Sequence, residues 1–377
     1  MTYPSVDALQ KALGETVFSN RTDIKKAAGR ALGTIVEIIT FYMLKQWNFL
    51  PNLSIERGLA EFGNDQITHN VEFGLHHCFD INSKTIANSD YSLPLTTPKL
   101  RKLFGVKNDF IPKSNVLLTK DLILRNSCVI GANESRLLIA HLENYDFTDT
   151  KIFTTELKSI PFAMVECKRV GVEDGAKKGP TTIEKAKQGA YVAKHVSSLQ
   201  KVRGHDGIMY GAWPLKNGGF EIKDLVKERK RLIYQASASE LDGFILTVGL
   251  VSNHGNWFTK DNMNKELLVL KDSYDWLLFL TDLGIAEFVY ETILSEDDCM
   301  EAVKKSFSLS YASGEAGKNQ FTKVKIDYKA DQVLKKYFAT NQKRIEKNWF
   351  NILTPDNHSI KELKEDLQSL VDKKNEK

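Results

Sequence analysis

Cysteine is scarce in this chain: four in 377 residues, at positions 78, 128, 167 and 299, with no Cys-x-x-Cys pair among them. Such spacing argues against both a zinc ribbon and a disulfide scaffold, and a reducing cytoplasm fits it best. An excess of one charge is missing too, because 52 basic and 48 acidic residues leave a formal net charge of only +4. That balance permits nucleic-acid binding through a local patch without demanding it. Met1 to Asp7 has neither a basic start nor an apolar signal core, so secretion is not expected. Long hydrophobic runs are also lacking. The most apolar stretch, Tyr274 to Tyr290, is interrupted by Asp275, Asp282 and Glu287 and falls short of the roughly 20 apolar residues of a membrane span, so it reads as a buried helix and no membrane is implied. No repeat recurs at a fixed period.

What is present is globular. Hydrophobic residues make up 42% and charged residues 27%, and 377 residues can bury one large core or two of ordinary size. Val6 to Phe18 and Asp23 to Phe49 show helical periodicity, with Asp23 as an early-turn acid or cap. Asn70 to Phe79 reads as a strand, and Pro98 to Phe104 as a short helix. Apolar segments then alternate with turn formers at Val116 to Leu124, Cys128 to Ile130, Leu137 to Leu142, Ile152 to Leu157 and Ile160 to Val165. A helix over 181–202 is followed by strands at Gly207 to Trp213 and Phe244 to Val251, the second a nearly continuous apolar run suited to a central strand. Helices return at Glu266 to Asp282, Ile285 to Leu294 and Ala330 to Phe350, separated by a Ser/Gly loop at Leu309 to Asn319, and residues 355–377 read as a charged tail that frays. Strands alternating with helices predict an α/β fold, a central mixed β-sheet flanked by helices. The expected division is an N-terminal helical region over 1–110, a core over 111–260 and a C-terminal helical region over 261–377.

Across the whole chain acid-x-Lys occurs nine times, beginning at Asp23, Asp149, Glu156, Glu166, Glu221, Glu228, Asp327, Glu362 and Asp372, so the triplet alone carries little. Context separates them. Most of the others lie in charged, helix-like stretches, whereas Glu166-Cys167-Lys168 directly follows the apolar segment Phe162 to Val165. On a strand, residues two apart share a face, so the Glu166 carboxylate and the Lys168 ammonium project side by side. Sixteen residues, 150–165, separate Asp149 from that unit, an interval that two strands and a turn fill, and a hairpin there adds a second oxygen ligand of the kind Mg²⁺ prefers. Asp146 competes with it as the first acid.

These residues resemble the PD-(D/E)xK nuclease superfamily and, within it, the type II restriction endonucleases. Thr148-Asp149 stands where the family has Pro-Asp, a departure that touches Asp149 more than Glu166 and Lys168. The close resemblance covers roughly Asp149 to Gln200. It implies a restriction-endonuclease-like core with additional N- and C-terminal helices, and a Mg²⁺-dependent cut of double-stranded DNA that leaves a 5′-phosphate and a 3′-hydroxyl. It also implies Asp149, Glu166 and Lys168 as catalytic residues, with Asp149, Glu166 and the Cys167 carbonyl as metal ligands. Because two strands must be cut, a two-fold homodimer on a palindromic or near-palindromic site is expected.

Other residues carry two readings each. Glu37 lies in the very apolar stretch Ala27 to Leu44, where a buried carboxylate is costly unless it is paired or metal-bound. Restriction enzymes often bring an early-helix acid to the metals, yet Arg30, Gly33, Thr34, Glu37 and Thr40 equally form a narrow solvent stripe. Gln188 and Tyr191 share a helix face that lines a DNA groove or packs on the core. Lys177, Lys178, Arg229 and Lys230 are candidate phosphate contacts, with a solvated helix face as the plainer reading of the last two. Asn253 and Asn256 follow a buried strand and suit either adenine readout or a polar turn. The run Gly314 to Asn319 is no phosphate loop, since Ala312 replaces its first glycine and Asn319 its Ser/Thr. His76-His77-Cys78 reads as part of a strand, not a metal site.

Overall fold

The computed structural model describes residues 6–19, 24–146, 148–169, 180–252, 265–311 and 319–373. The chain is mixed α/β, with four sheets and ten α-helices among the described residues. The expected single central sheet is therefore only part of the architecture.

The largest sheet has six strands in the order Leu53–Glu61, Asn64–Leu75, Ala163–Arg169, Leu246–Ser252, Trp276–Leu280 and Phe350–Thr354. Its middle three run parallel, with Glu166 paired to Gly249 and Gly249 to Leu277, and the flanking strands are antiparallel. Every residue of Leu246–Ser252 and Trp276–Leu280 is buried, which is why both read as unbroken apolar runs and not as alternating ones. Helix Ile24–Gln46 and helix Pro180–His195 both contact Ala163–Arg169. The first packs Leu32, Ile35, Ile39 and Leu44 into the core. By length and composition alone, Ala27–Gln46 is also long and apolar enough to cross a membrane, but 72% of its most apolar window is buried inside the protein.

Between the second and third strands of this sheet the chain leaves to build a five-stranded sheet, Cys78–Ala87, Asp149–Lys158, Arg136–Tyr145, Cys128–Ala132 and Ile111–Pro112. Buried His76 bridges the two sheets. Its Nε2 lies 2.8 Å from the Ser54 hydroxyl and its Nδ1 2.8 Å from the Lys158 carbonyl. The pair His76-His77 sits in the link between strands, not within one.

Several elements differ from expectation. Residues 1–110 hold three long strands besides their helices, and the six-stranded sheet draws on all three expected regions, so the 1–110, 111–260 and 261–377 division does not describe how it is assembled. The helix expected over 181–202 stops at His195, and Gln200–Arg203 opens a small three-stranded sheet. Tyr274 to Tyr290 is not one buried helix: Asp275, held by Thr247 and Lys201, precedes the strand Trp276–Leu280, and Thr281 then caps helix Asp282–Phe288. The charged tail contains helix Ile360–Val371, opened by a Ser359/Glu362 capping box and seated on buried Leu363, Leu367 and Leu370.

Candidate active site

The six-stranded sheet brings three glutamates into one rung. Val165 pairs with Phe73 and Met164 with Gly74, which sets Glu166 opposite Glu72, and the Glu72 backbone N–H donates to Glu166 Oε2 at 3.1 Å. One strand further, Ile55 pairs with Phe73 and Arg57 with Val71, which sets Glu56 opposite Glu72. Directly opposed like charges destabilise a sheet unless something positive stands between them. Here two lysines do. Lys168 Nζ lies 2.6 Å from Glu166 Oε1 and 3.6 Å from Glu72 Oε1. Lys323 Nζ ion-pairs with the other Glu72 oxygen, with Glu56 Oε1 at 3.2 Å and with Glu37 Oε2 at 3.2 Å.

Local structure fixes each member. Glu166 and Lys168 share a face because they alternate on a buried strand, and the intervening Cys167 turns the other way, its thiol donating to Thr40 Oγ1 at 3.3 Å on helix Ile24–Gln46. Glu37 lies one turn before Thr40 on that helix, so the contact which seats the helix also delivers its carboxylate. Gly189 lets helix Pro180–His195 come close, since a Cβ there would lie 2.6 Å from the Tyr274 hydroxyl and 3.2 Å from Glu166 Cγ. Gly249, beside Glu166, likewise leaves room for the Tyr274 ring. Glu56 holds a left-handed backbone, φ 50°, which costs a residue with a Cβ on the order of 1–2 kcal/mol.

Burial pushes the Glu166 carboxyl above the usual range against the pull of Lys168. Glu37 is raised for the same first reason, with Lys323 acting against it. Four carboxylates face two ammonium groups, so the cluster is short of two positive charges when all are ionised. As the side chains stand, no three acidic, histidine or cysteine residues among the described ones converge on a single point as metal ligands. The carboxylates converge on the ammonium groups instead, and an all-oxygen donor set of this charge is chemically suited to a hard divalent cation.

The sequence-derived candidates divide accordingly. Glu166, Lys168 and Glu37 come together. Asp149 does not: it begins a strand paired to Cys78–Ala87 and Arg136–Tyr145 in the other sheet, and its side chain is exposed. The neighbour of Ala163–Arg169 on that side is Asn64–Leu75, so the place expected for Asp149 belongs to Glu72. Asp146 is a turn residue, its carboxylate accepting the N–H groups of Thr148 and Asp149 at 2.9 and 2.8 Å, and those bonds hold its carboxyl below the usual range. Arg229 is buried against Asp275, donating to its carbonyl at 3.1 Å, and so is not free for phosphate. Lys230 beside it is exposed. Gln188 is exposed, while Tyr191 is hydrogen-bonded to Glu61 and lies against the rings of His69 and His195. Lys177, Lys178, Asn253 and Asn256 lie outside the described residues. Glu72, Glu56 and Lys323 escaped the sequence reading, because nothing local marks which strand neighbours Glu166. Searches against family models, curated proteins and solved structures find no match to this chain.

Proposed function

We propose that this protein is a Mg²⁺-dependent nuclease of the restriction-endonuclease type, cutting double-stranded DNA. The observation that carries the reading is the convergence of Glu72, Glu166 and Lys168 on adjoining strands, with Glu37 reaching the same cluster from an early helix. This is the acid, then acid-x-Lys, arrangement of the PD-(D/E)xK enzymes, with Glu72 in the role of the first acid. A six-stranded mixed sheet contacted by helices suits that core. Glu72 and Glu166 would hold the cation, with the Cys167 carbonyl as a further ligand by resemblance. Mg²⁺ when bound polarises the phosphate and lowers the pKa of a water. Lys168, which lies between the two acids and is partly open to solvent, would orient the attacking water and offset the charge that develops on the phosphate. Exposed Gln188 and Lys230 are candidates for DNA contact, and cutting both strands calls for a two-fold homodimer.

The test is incubation of a sequenced plasmid with purified protein in Mg²⁺ or in EDTA. Discrete fragments in Mg²⁺ alone, lost by roughly 10³-fold or more in Lys168→Ala, are the expected result. Smearing or branch-selective nicking would move the reading to a repair or structure-specific nuclease with the same site. Metal-independent DNA binding with no cleavage would reduce it to a binding module.

A further inference from the structure

Resting on the metal-dependent reading above, we infer that Lys323 is a built-in cation: its ammonium holds the place of a second metal ion among Glu37, Glu56 and Glu72, so the site admits one divalent ion. The two lysines of the cluster differ in a way that decides this. Lys168 keeps 27% of its side chain exposed near the end of its strand and has solvent to move into when a cation arrives between Glu72 and Glu166. Lys323 has 3% exposed. Its backbone is tied down, the Lys323 carbonyl accepting from Asn126 Nδ2 at 3.0 Å, the Val324 carbonyl from the Asn126 N–H at 2.9 Å and the Lys325 carbonyl from the Thr322 N–H at 2.7 Å. Adjacent Phe321, two residues before it, is fully buried.

Withdrawing this ammonium would leave it unpaired among apolar groups such as Phe73, whose ring centre is 6.0 Å away, and would leave three carboxylates facing one another. Glu56 reinforces the point. Its left-handed backbone sets it opposite the like charge of Glu72, and Lys323 is the cation that stands between the two carboxylates. The charge balance agrees, because with both lysines counted the cluster lacks what one divalent ion supplies, and a second would overfill it.

The experiment counts Mn²⁺ bound per full-length chain by calorimetry and electron paramagnetic resonance, alongside thermal melts with and without Mn²⁺. The wild type is expected to bind one ion in the cluster, abolished by Glu166→Gln, and Lys323→Met to bind two, with a larger Mn²⁺-dependent rise in Tm. Should Lys323→Met fail to fold without metal, Lys323→Met combined with Glu56→Gln carries less unbalanced charge and is read in the same way. Two ions in the wild type, or equal numbers in the wild type and both variants, overturn the inference. The two readings fail separately. One ion in the wild type and two in the variant, with no DNA cut, leaves Lys323 as the fixed cation and removes the nuclease. Mg²⁺-dependent cutting with two wild-type ions does the reverse.

Discussion

Glu166 shows what one strand reveals and what it hides. Alternation on a buried strand puts Glu166 and Lys168 on one face, and the apolar surroundings of Glu37 flag a carboxylate in need of a partner. The first is legible in the sequence; for Glu37 the sequence leaves the solvent stripe equally open. The partners are not legible, because Glu72 and Lys323 owe their places to pairings across 94 and 286 residues. Burial raises the carboxyl groups of Glu166 and Glu37, so on acidification protons compete with the cation sooner than at an exposed site. Cleavage should therefore decline on the acid side before the ordinary carboxylate range is reached, and added Mg²⁺ should move that limb to lower pH. An acid limb indifferent to Mg²⁺ concentration would show that these carboxylates do not titrate against the metal.

At the level of elements, helices with clean periodicity were readable. Ile24–Gln46 and Tyr328–Asn348 lie within three residues of their expected ends. Strand neighbours were not readable, since pairing depends on where the excursion over 78–158 returns, and short alternating runs do not encode that. For this reason spacing puts Asp149 on the strand beside Glu166, whereas the fold pairs it into the five-stranded sheet. The C-terminal helix was missed because its charged face dominates the composition while its buried leucines recur only every three or four residues. Gly189 is where helix Pro180–His195 meets the site most closely. A methyl there would collide with the Tyr274 hydroxyl and crowd Glu166, so Gly189→Ala should cost about 1–3 kcal/mol despite the better helix propensity of alanine, and should lower cleavage as Glu166 is displaced. Chemical denaturation of the variant measures the first effect; a variant as stable as the wild type would mean that the helix sits further from the strand.

For the molecule as a whole, three buried histidines among the described residues, His76, His77 and His141, shape the response to acid. Burial depresses His76 and His77 to about 4 and His141 to about 3, the last with its Nε2 3.2 Å from the Thr155 hydroxyl and its ring stacked on Phe153. Their unfolded values lie near 6.5, so below that pH the unfolded chain takes up protons that the folded one refuses. Stability is then complete above about pH 6.5 and falls as the pH drops toward 4, by about 2 kcal/mol per fully buried histidine between pH 7.5 and 5. Urea melts at those two pH values measure the loss, and His141→Gln should reduce it; equal stability at both would mean the rings are protonated in the fold.

The central claim is that Glu72, and not Asp149, completes the site with Glu166 and Lys168. Plasmid cleavage in Mg²⁺ by Glu72→Gln and Asp149→Asn, both confirmed as folded, tests it most directly. Glu72→Gln should lose activity by roughly 10³-fold while Asp149→Asn stays within about two-fold of the wild type. Full activity in Glu72→Gln together with an inactive Asp149→Asn would contradict it.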